Sequence, residues 1–279
     1  MNFLQARRNP SLRIGAAIVA LVLLCAVFAP LLAPRDPYLQ NLDNILQPPN
    51  AAHLLGTDLY GRDVLSRLIY GTRSSLAVAM LASTIAVLSG LLIGLIAGFS
   101  GGIVDRILMR IVDVLLGFPR LFILLLALGF GYPSIWFIVI VLALFSWMEI
   151  ARIVRGQVRV VREMLYVKAA QALGLSNAKI VRKYILPNVI GPVIVAAAML
   201  IASMLIVESS LSFLGLGIQP PEASWGTILN QGRQYPVAAW WLSTFAGIMI
   251  VVTVLGFHLL GDGLRNYLDP KTRGQQAEK

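Results

Sequence analysis

Long apolar runs alternate with shorter polar stretches along the chain, and each run approaches the length needed to cross a bilayer. A helix needs about 20 apolar residues to span the hydrocarbon core, so the pattern predicts about six transmembrane helices. They are Ile14–Leu32, Leu76–Phe99, Ile107–Phe130, Ile135–Ile153, Val189–Val207 and Ala238–Leu260. Pro119 lies inside the third span and predicts a break there. The expected fold class is therefore an all-α integral membrane protein.

The basic residues predict how the chain is oriented. Most of the 23 Lys and Arg residues fall in the N-terminal tail, the 100–110 loop, the 152–187 segment and the C-terminal tail. Cytoplasmic loops carry the excess of Lys and Arg, so both termini are predicted to be cytoplasmic. The expected division is a tail 1–13, a first helix with an extracytoplasmic loop 14–72, a core of five helices 73–263 and a tail 264–279.

The amino-acid composition also indicates that most of the chain is surrounded by lipid. Hydrophobic residues make up 58% and charged residues 13% of the sequence, about half the charged share of a typical soluble domain. The net charge of +10 would suggest a nucleic-acid partner in a soluble protein. Here the topology explains the charge, so no nucleic-acid partner is expected.

The most informative polar stretch is the segment 158–187. A helix is predicted from Val158 to Leu173, and Gly174 suits its end because glycine accepts the left-handed conformation. Ser176 can cap a short second helix that Pro187 ends. Such a helix–Gly–helix protrusion is suited to docking in a groove on another protein. The alternative is a solvated basic loop that only sets topology.

This segment resembles the EAA loop of ABC importer permeases, whose pattern is E-A-A-x3-G-x9-I-x-L-P. The matching residues are Ala169, Ala170, Gly174, Leu186 and Pro187. Lys168 stands in place of the Glu and Tyr184 in place of the Ile. The departures leave the helix–Gly–helix geometry intact but give no support to a specific role for the acidic side chain.

Three further stretches strengthen the resemblance: HLLGTDLYGRDVLSRLIYGTRSSL from His53, SSLSFLGLGIQPPEASWGTIL from Ser209 and LLGDGLRNYLDP from Leu259. Together with the EAA-like loop they resemble the dipeptide/oligopeptide/nickel class of ABC permeases, specifically the subunit with a short N-terminal region. The resemblance extends from about Arg8 to Pro270. Four stretches in the same order make a chance match improbable.

The resemblance implies a function and a set of partners. It implies a pore-forming subunit of an ATP-driven importer in the bacterial cytoplasmic membrane, which moves di- or oligopeptides by alternating access. It also implies a second, similar permease subunit, two cytoplasmic ATPase subunits and an extracytoplasmic solute-binding protein. The EAA loop would seat in a cleft of the ATPase. The chain has no GxxxxGK[ST] phosphate loop, so ATP and Mg are expected on the partners, and this chain is expected to be no enzyme and to bind no cofactor.

Other substrates and another class of transporter remain as alternatives. The resemblance does not separate peptides from nickel, a nickel chelate or glutathione. An ion-coupled secondary transporter is a different class. The few membrane charges argue against it, as does the lack of Gly/Pro-interrupted spans that recur in corresponding halves.

Charged residues inside the predicted spans are candidates for the translocation pathway, because charge is costly in lipid and usually faces a partner or a cavity. Asp113 and Arg120 lie seven residues apart in the third span, and Glu149 and Arg152 lie three apart in the fourth. Either set can be a structural ion pair or can line the pathway. Glu208 lies at the outer end of the fifth span, where it can face the pore or the wet interface.

Four charged residues of the extracytoplasmic loop are candidates for docking the binding protein: Asp58, Arg62, Asp63 and Arg67. Asp63 and Arg67 are four apart on a predicted helix and can instead pair with each other. The simpler interpretation is an ordered loop that caps the bundle.

Two further features of the sequence are expected to be structural. Gly90, Gly94 and Gly98 form a small-residue ridge that allows close helix packing, within the subunit or across a dimer. His53 and His258 have no second ligand at metal spacing, so no metal site is expected.

Overall fold

The apolar runs fold as long helices in the computed structural model, which describes residues 9–131 and 134–268. In chain order the α-helices are α1 Pro10–Val27, α2 Ala29–Leu32, α3 Val64–Ser100, α4 Gly102–Leu116, α5 Arg120–Gly129, α6 Ile135–Leu144, α7 Trp147–Arg162, α8 Leu165–Ala172, α9 Asn177–Ile180, α10 Leu186–Phe213, α11 Trp225–Gly232 and α12 Trp240–Leu268. A 3-10 turn spans Leu42–Asn44, and a π-helical turn at Val181–Ile185 joins α9 to α10. The all-α prediction is confirmed.

Within the described residues, five continuous stretches are long and apolar enough to cross a membrane: Pro10–Val27, Val64–Ser100, Ile135–Arg162, Asn177–Phe213 and Trp240–Leu268. A sixth is the pair α4 and α5, which is bent by 78°. The bend falls at the residues before Pro119, as predicted, because proline lacks an N–H and disrupts the preceding turn. The expected six spans are obtained when the bent pair is counted as one.

The second span begins earlier than predicted. The helix α3 starts at Val64 rather than Leu76, so its first three turns project beyond the apolar run. Asp63 caps this extension, because its side chain accepts a hydrogen bond from the Ser66 backbone N–H. The short extracytoplasmic helix predicted to carry Asp63 and Arg67 is thus continuous with the span, and Arg67 and Ser75 are buried against the rest of the subunit.

The glycine ridge of α3 packs inside the subunit. A Cβ atom added to Gly90 or Gly94 would lie 2.6 Å from a backbone oxygen of α7, and one added to Gly98 would lie 2.7 Å from the Val158 Cβ. Such distances leave no room for any side chain, so the two helices approach with their backbones nearly in contact. Of the two predicted roles, packing within the subunit is the one observed.

The first and last long helices also pack closely. Gly15 on α1 faces the backbone of α12 near Leu260, and Gly263 on α12 faces Leu12 on α1. The Asn9 side chain caps α1 by accepting from the Leu12 N–H at 3.3 Å, and its amide donates to the Gly263 carbonyl at 3.2 Å. The beginning of the first helix is therefore fastened to the end of the last one.

Candidate functional site

The predicted helix–Gly–helix protrusion is present between α7 and α10. The helix α8 ends in a Schellman motif, in which the Leu175 N–H donates to the Ala170 carbonyl at 3.2 Å and the Gly174 N–H to the Gln171 carbonyl at 3.0 Å. Gly174 has a φ of +75°. The turn therefore requires the left-handed conformation that favoured glycine in the sequence.

The start of the protrusion differs from the prediction. The expected single helix Val158–Leu173 is two helices, because α7 ends at Arg162 and α8 begins at Leu165. Val158 belongs to the membrane helix, where it is buried against α3. Met164 adopts an extended conformation between the two helices. The intervening residues are compatible with a helix, so the sequence carried no signal for this break.

The end of the protrusion also differs. Ser176 starts α9 through its backbone carbonyl, which accepts from the Ile180 N–H at 3.0 Å, while its side chain makes no capping bond. Pro187 was expected to end the second helix. Instead the chain continues through the π turn Val181–Ile185 into α10. A π turn widens the helix, which relieves the clash that proline makes with the preceding turn.

The protrusion is anchored on one side and exposed on the other. Val167, Ala170 and Ile180 are buried against the bundle. Leu165 and Leu173 point outward and are 86% and 80% exposed. Two large apolar side chains so exposed, outside the apolar spans, leave a surface that a partner protein can cover.

Lys168, which replaces the glutamate of the EAA pattern, has an acidic neighbour on its own chain. Its Nζ lies 2.9 Å from the Glu163 Oε2, and both side chains are solvent exposed. The hydrogen bond and charge of Lys168 lower the pKa of the Glu163 carboxyl. An acidic and a basic group therefore still meet at the start of α8.

The membrane-proximal charges form ion pairs that the sequence did not predict. Arg152 binds Asp113 at 2.6 Å, and Arg155 binds Asp105 at 2.6 Å. Of the two alternatives, structural pairs within the third and fourth spans are not formed by these described residues. The bend between α4 and α5 carries Arg120 away from Asp113, and Arg152 binds Asp113 rather than Glu149. Asp105 was not singled out. Asp105 lies two helical turns before Asp113 and on the same face, and this spacing could have indicated that both face the same neighbouring helix.

Arg120 and Glu149 are not paired with each other within 4.0 Å. The Arg120 Nη2 donates to the Ser146 Oγ at 2.7 Å and lies 3.4 Å from the Met204 sulfur. Glu149 is exposed on the surface of the subunit. Both remain candidates for the pathway.

Glu208 lies inside the subunit. Its side chain is completely buried, and it accepts hydrogen bonds from Ser212 at 2.8 Å and from Ser209 at 3.4 Å. Beside it, the Trp225 N–H at the start of α11 donates to Ser75 on α3. This polar cluster joins three helices, and it gives Glu208 no exposure to a pathway in this structure.

The four charged residues proposed for docking are buried, each less than 5% exposed. The Asp58 Oδ2 lies 2.7 Å from the Arg62 Nη2 and 3.2 Å from the Arg67 Nε. The expected pair of Asp63 with Arg67 is wrong, since Asp63 binds His53 at 2.9 Å. These charges hold the extracytoplasmic loop to α3 and present no charged side chain to a binding protein here.

No group of three His, Cys, Asp or Glu side chains within residues 9–131 and 134–268 could hold a metal ion.

Several apolar helices long enough to cross a membrane, one of them a bent pair, with an exposed segment between two spans, are the features of a multi-span membrane protein. A family model described as a binding-protein-dependent transport system inner membrane component matches residues 90–274. The chain belongs to this family. A second model, the N-terminal TM domain of oligopeptide transport permease C, matches residues 3–49.

Curated relatives resemble nearly the whole chain. A dipeptide transport system permease protein of Bacillus subtilis (strain 168) is 40% identical over 270 residues, covering 96% of this chain and 84% of the relative. A probable D,D-dipeptide transport system permease protein of Escherichia coli (strain K12) is 40% identical over 264 residues, covering 94% and 88%. An oligopeptide permease of Bacillus subtilis (strain 168) is 37% identical over 270 residues, covering 97% and 88%.

Solved structures share the fold. The MetNI methionine ABC transporter in an inward-facing conformation aligns with a TM-score of 0.59 at 19% identity, covering 74% of this chain and 98% of that one. An amino acid ABC transporter aligns with a TM-score of 0.56 at 24% identity, covering 74% and 94%. The helical arrangement is thus that of ABC transporter membrane subunits.

Proposed function

We propose that this chain is one pore-forming subunit of an ATP-driven importer for di- or oligopeptides. The observation that carries the proposal is the segment α8–Gly174–α9, which is anchored to the bundle on one side and exposes Leu165 and Leu173 on the other. The names of relatives that are about 40% identical over almost the full length support the peptide as substrate.

In this proposal the segment is the contact for a separate ATPase subunit. Leu165 and Leu173 would enter a groove of the ATPase, in the way an amphipathic helix seats its apolar side chains in a partner. The site residues are Ser176 at the start of α9 and six positions of the EAA-like pattern, namely Lys168, Ala169, Ala170, Gly174, Leu186 and Pro187. ATP and Mg would be bound by the partner.

The coupling follows from how the segment is attached. The helix α7 leads into α8 with only Glu163 and Met164 between them, and it is packed on the glycine ridge of α3. Movement of α8 by the ATPase would therefore move α7 and α3 together. ATP can shift the pore between inward- and outward-facing states only if it binds one state of the assembly more tightly.

The remaining partners complete the pathway. A second permease subunit would supply the other half of the pore, and an extracytoplasmic binding protein would deliver the peptide. Both termini would be cytoplasmic, which places α8 on the same side as the ATPase. The basic residues of the 152–187 segment support this orientation.

The test is uptake by a strain that lacks this gene, with and without the gene restored. Labelled dipeptide and labelled nickel are compared in the same cells. We expect uptake of the dipeptide to depend on the gene and that of nickel to be independent of it. Gene-dependent nickel uptake without peptide uptake would contradict the proposal that peptides are the substrate. The assignment to ABC importers would still stand.

A further inference from the structure

Arg120 occupies a junction between broken membrane helices. It is the first residue of α5, directly after the bend of 78°. Its guanidinium meets Ser146, which lies between α6 and α7, and Met204 on α10. Interrupted helices are tolerated at membrane depth only where protein or a water-filled cavity satisfies the backbone. In transporters such interruptions commonly lie at the substrate site.

The guanidinium has no anionic partner in the described part of the chain. Its Nη2 donates to the Ser146 Oγ, and its Nε is buried without a hydrogen-bond partner. By contrast, Asp105 and Asp113 on the adjacent helix α4 are each paired with an arginine of α7. An intramembrane cation without a counterion is costly. Binding of an anion from outside the subunit to Arg120 would therefore be favourable.

Ser146 fixes where the guanidinium lies. Its hydroxyl donates to the Leu142 carbonyl, so its oxygen is left to accept from Arg120. A guanidinium anchored through one nitrogen presents its other donors in a fixed direction, because the group is planar and rigid. Ser146 therefore acts as a positioning residue for Arg120.

Glu149 supplies a charge of opposite sign nearby. It lies on the first turn of α7, three residues after Ser146, and is exposed on the subunit surface. No ion pair within 4.0 Å joins Glu149 to Arg120 among the described residues, since the Arg120 guanidinium binds Ser146 instead. A negative and a positive side chain, Glu149 and Arg120, therefore lie close to Ser146 without forming an ion pair with each other.

We propose that Arg120 and Glu149 receive the two charged ends of a zwitterionic peptide during translocation. Arg120 would bind the free α-carboxylate, since a guanidinium matches a carboxylate in shape and charge, and Glu149 would bind the α-ammonium. The inference rests on the proposed function of peptide import. It also favours a zwitterion over a free metal cation, which Arg120 would repel.

The test uses the complete transporter with its binding protein in proteoliposomes. Initial uptake rates are compared for a labelled dipeptide, its C-terminal amide and its N-acetyl derivative. The same binding protein serves every variant, so its own preference cancels when a variant is compared with the wild type. Arg110→Gln is the matched control, because Arg110 is exposed on α4 of the same bent span.

Arg120→Gln should lower the ratio of free to amidated dipeptide uptake by roughly tenfold to a hundredfold, as expected for loss of a charge-assisted hydrogen bond. Glu149→Gln should lower the ratio of free to N-acetylated uptake in the same way. Arg120→Lys serves as a second variant if the glutamine variant fails to assemble. It keeps the charge but loses the planar fork of donors, so it should retain only part of the preference for a free carboxylate. Arg110→Gln should change neither ratio.

Two outcomes would overturn the proposal in distinguishable ways. Dipeptide uptake with unchanged ratios in Glu149→Gln and in Arg120→Gln would overturn this inference and leave the importer function standing. If Arg120→Gln does not assemble, a ratio of free to amidated dipeptide uptake in the assembled Arg120→Lys complex equal to that of the wild type would do the same for the arginine. Absence of any dipeptide uptake by the wild-type complex would overturn the peptide assignment and this inference with it.

Discussion

Arg155 on α7 holds Asp105 on α4 through two hydrogen bonds, from Nε to Oδ1 at 2.7 Å and from Nη2 to Oδ2 at 2.6 Å. The aspartate side chain is only 10% exposed. On another face of α7, the glycine ridge of α3 packs against the backbone. The helix that leads into α8 is therefore held by two neighbours, which lets these three helices respond to the coupling segment as one unit.

Asp105→Asn should destabilise the subunit by about 1–3 kcal/mol, because it removes the charge that satisfies a partly buried arginine. The measurement is the thermal unfolding midpoint of the purified complex in detergent. Asp113→Asn is the control. Its pair with Arg152 is more than half exposed on both sides, so it should cost no more than about 1 kcal/mol. An equal fall of the unfolding midpoint in the two variants would contradict the claim that the buried pair Arg155–Asp105 contributes more stability than the exposed one.

Gly174→Val should abolish transport and leave membrane insertion intact. The φ of +75° at this turn is strained for a β-branched residue, at a cost of about 1–3 kcal/mol, and the end of α8 would rearrange. Insertion is measured by the amount of protein in membranes, and transport by ATP-dependent uptake. Gly156→Ala is the control, because that position in α7 is open and has no positive φ. Wild-type uptake by Gly174→Val would show that the turn is not needed for coupling.

Gly94→Ala should loosen the contact between α3 and α7. The added methyl would lie 2.6 Å from the Ala151 oxygen and from the Val154 Cβ, and overpacking of this kind costs about 1–3 kcal/mol. Gly247→Ala on α12 meets nothing within 4 Å and should be neutral. The two variants are compared by thermal unfolding. An unchanged midpoint for Gly94→Ala would mean that the helices can separate without loss.

Lys168→Glu restores the residue of the EAA pattern and should be tolerated in transport. It replaces the exposed contact of Lys168 with Glu163 by two like charges, and exposed pairs contribute little.

Lys168 lowers the pKa of Glu163, so the small stabilisation from the pair is present above the ordinary carboxyl pKa. It is lost as the pH falls through the lowered value. A large loss of uptake in this variant would indicate that Lys168 contacts a partner.

The sequence predicted the helices better than the contacts between them. Hydropathy located the spans, and Pro119 and Gly174 marked a bend and a turn, because each of these residues restricts or permits backbone conformations locally. The second span was predicted to begin at Leu76 rather than Val64, because the first turns of α3 are polar in composition but buried by tertiary packing. Burial of this kind depends on residues distant in the chain and leaves no periodic signal in a single sequence.

The partners of the charged residues could not be predicted for the same reason. Sequence spacing suggested pairs within one helix, namely Asp63 with Arg67 and Glu149 with Arg152. The fold instead pairs Asp63 with His53 and Arg152 with Asp113, which lie on other segments. A single sequence gives spacing along one helix but not which helices become neighbours.

The most direct test of the account is peptide accumulation in proteoliposomes that contain the complete transporter, with ATP supplied on the ATPase side. The comparison is with an otherwise identical complex whose ATPase subunits cannot hydrolyse ATP. The account predicts accumulation that requires both ATP and hydrolysis, and that is lost in Gly174→Val although the complex still assembles. Accumulation that persists without hydrolysis, or that follows an imposed ion gradient instead, would contradict it.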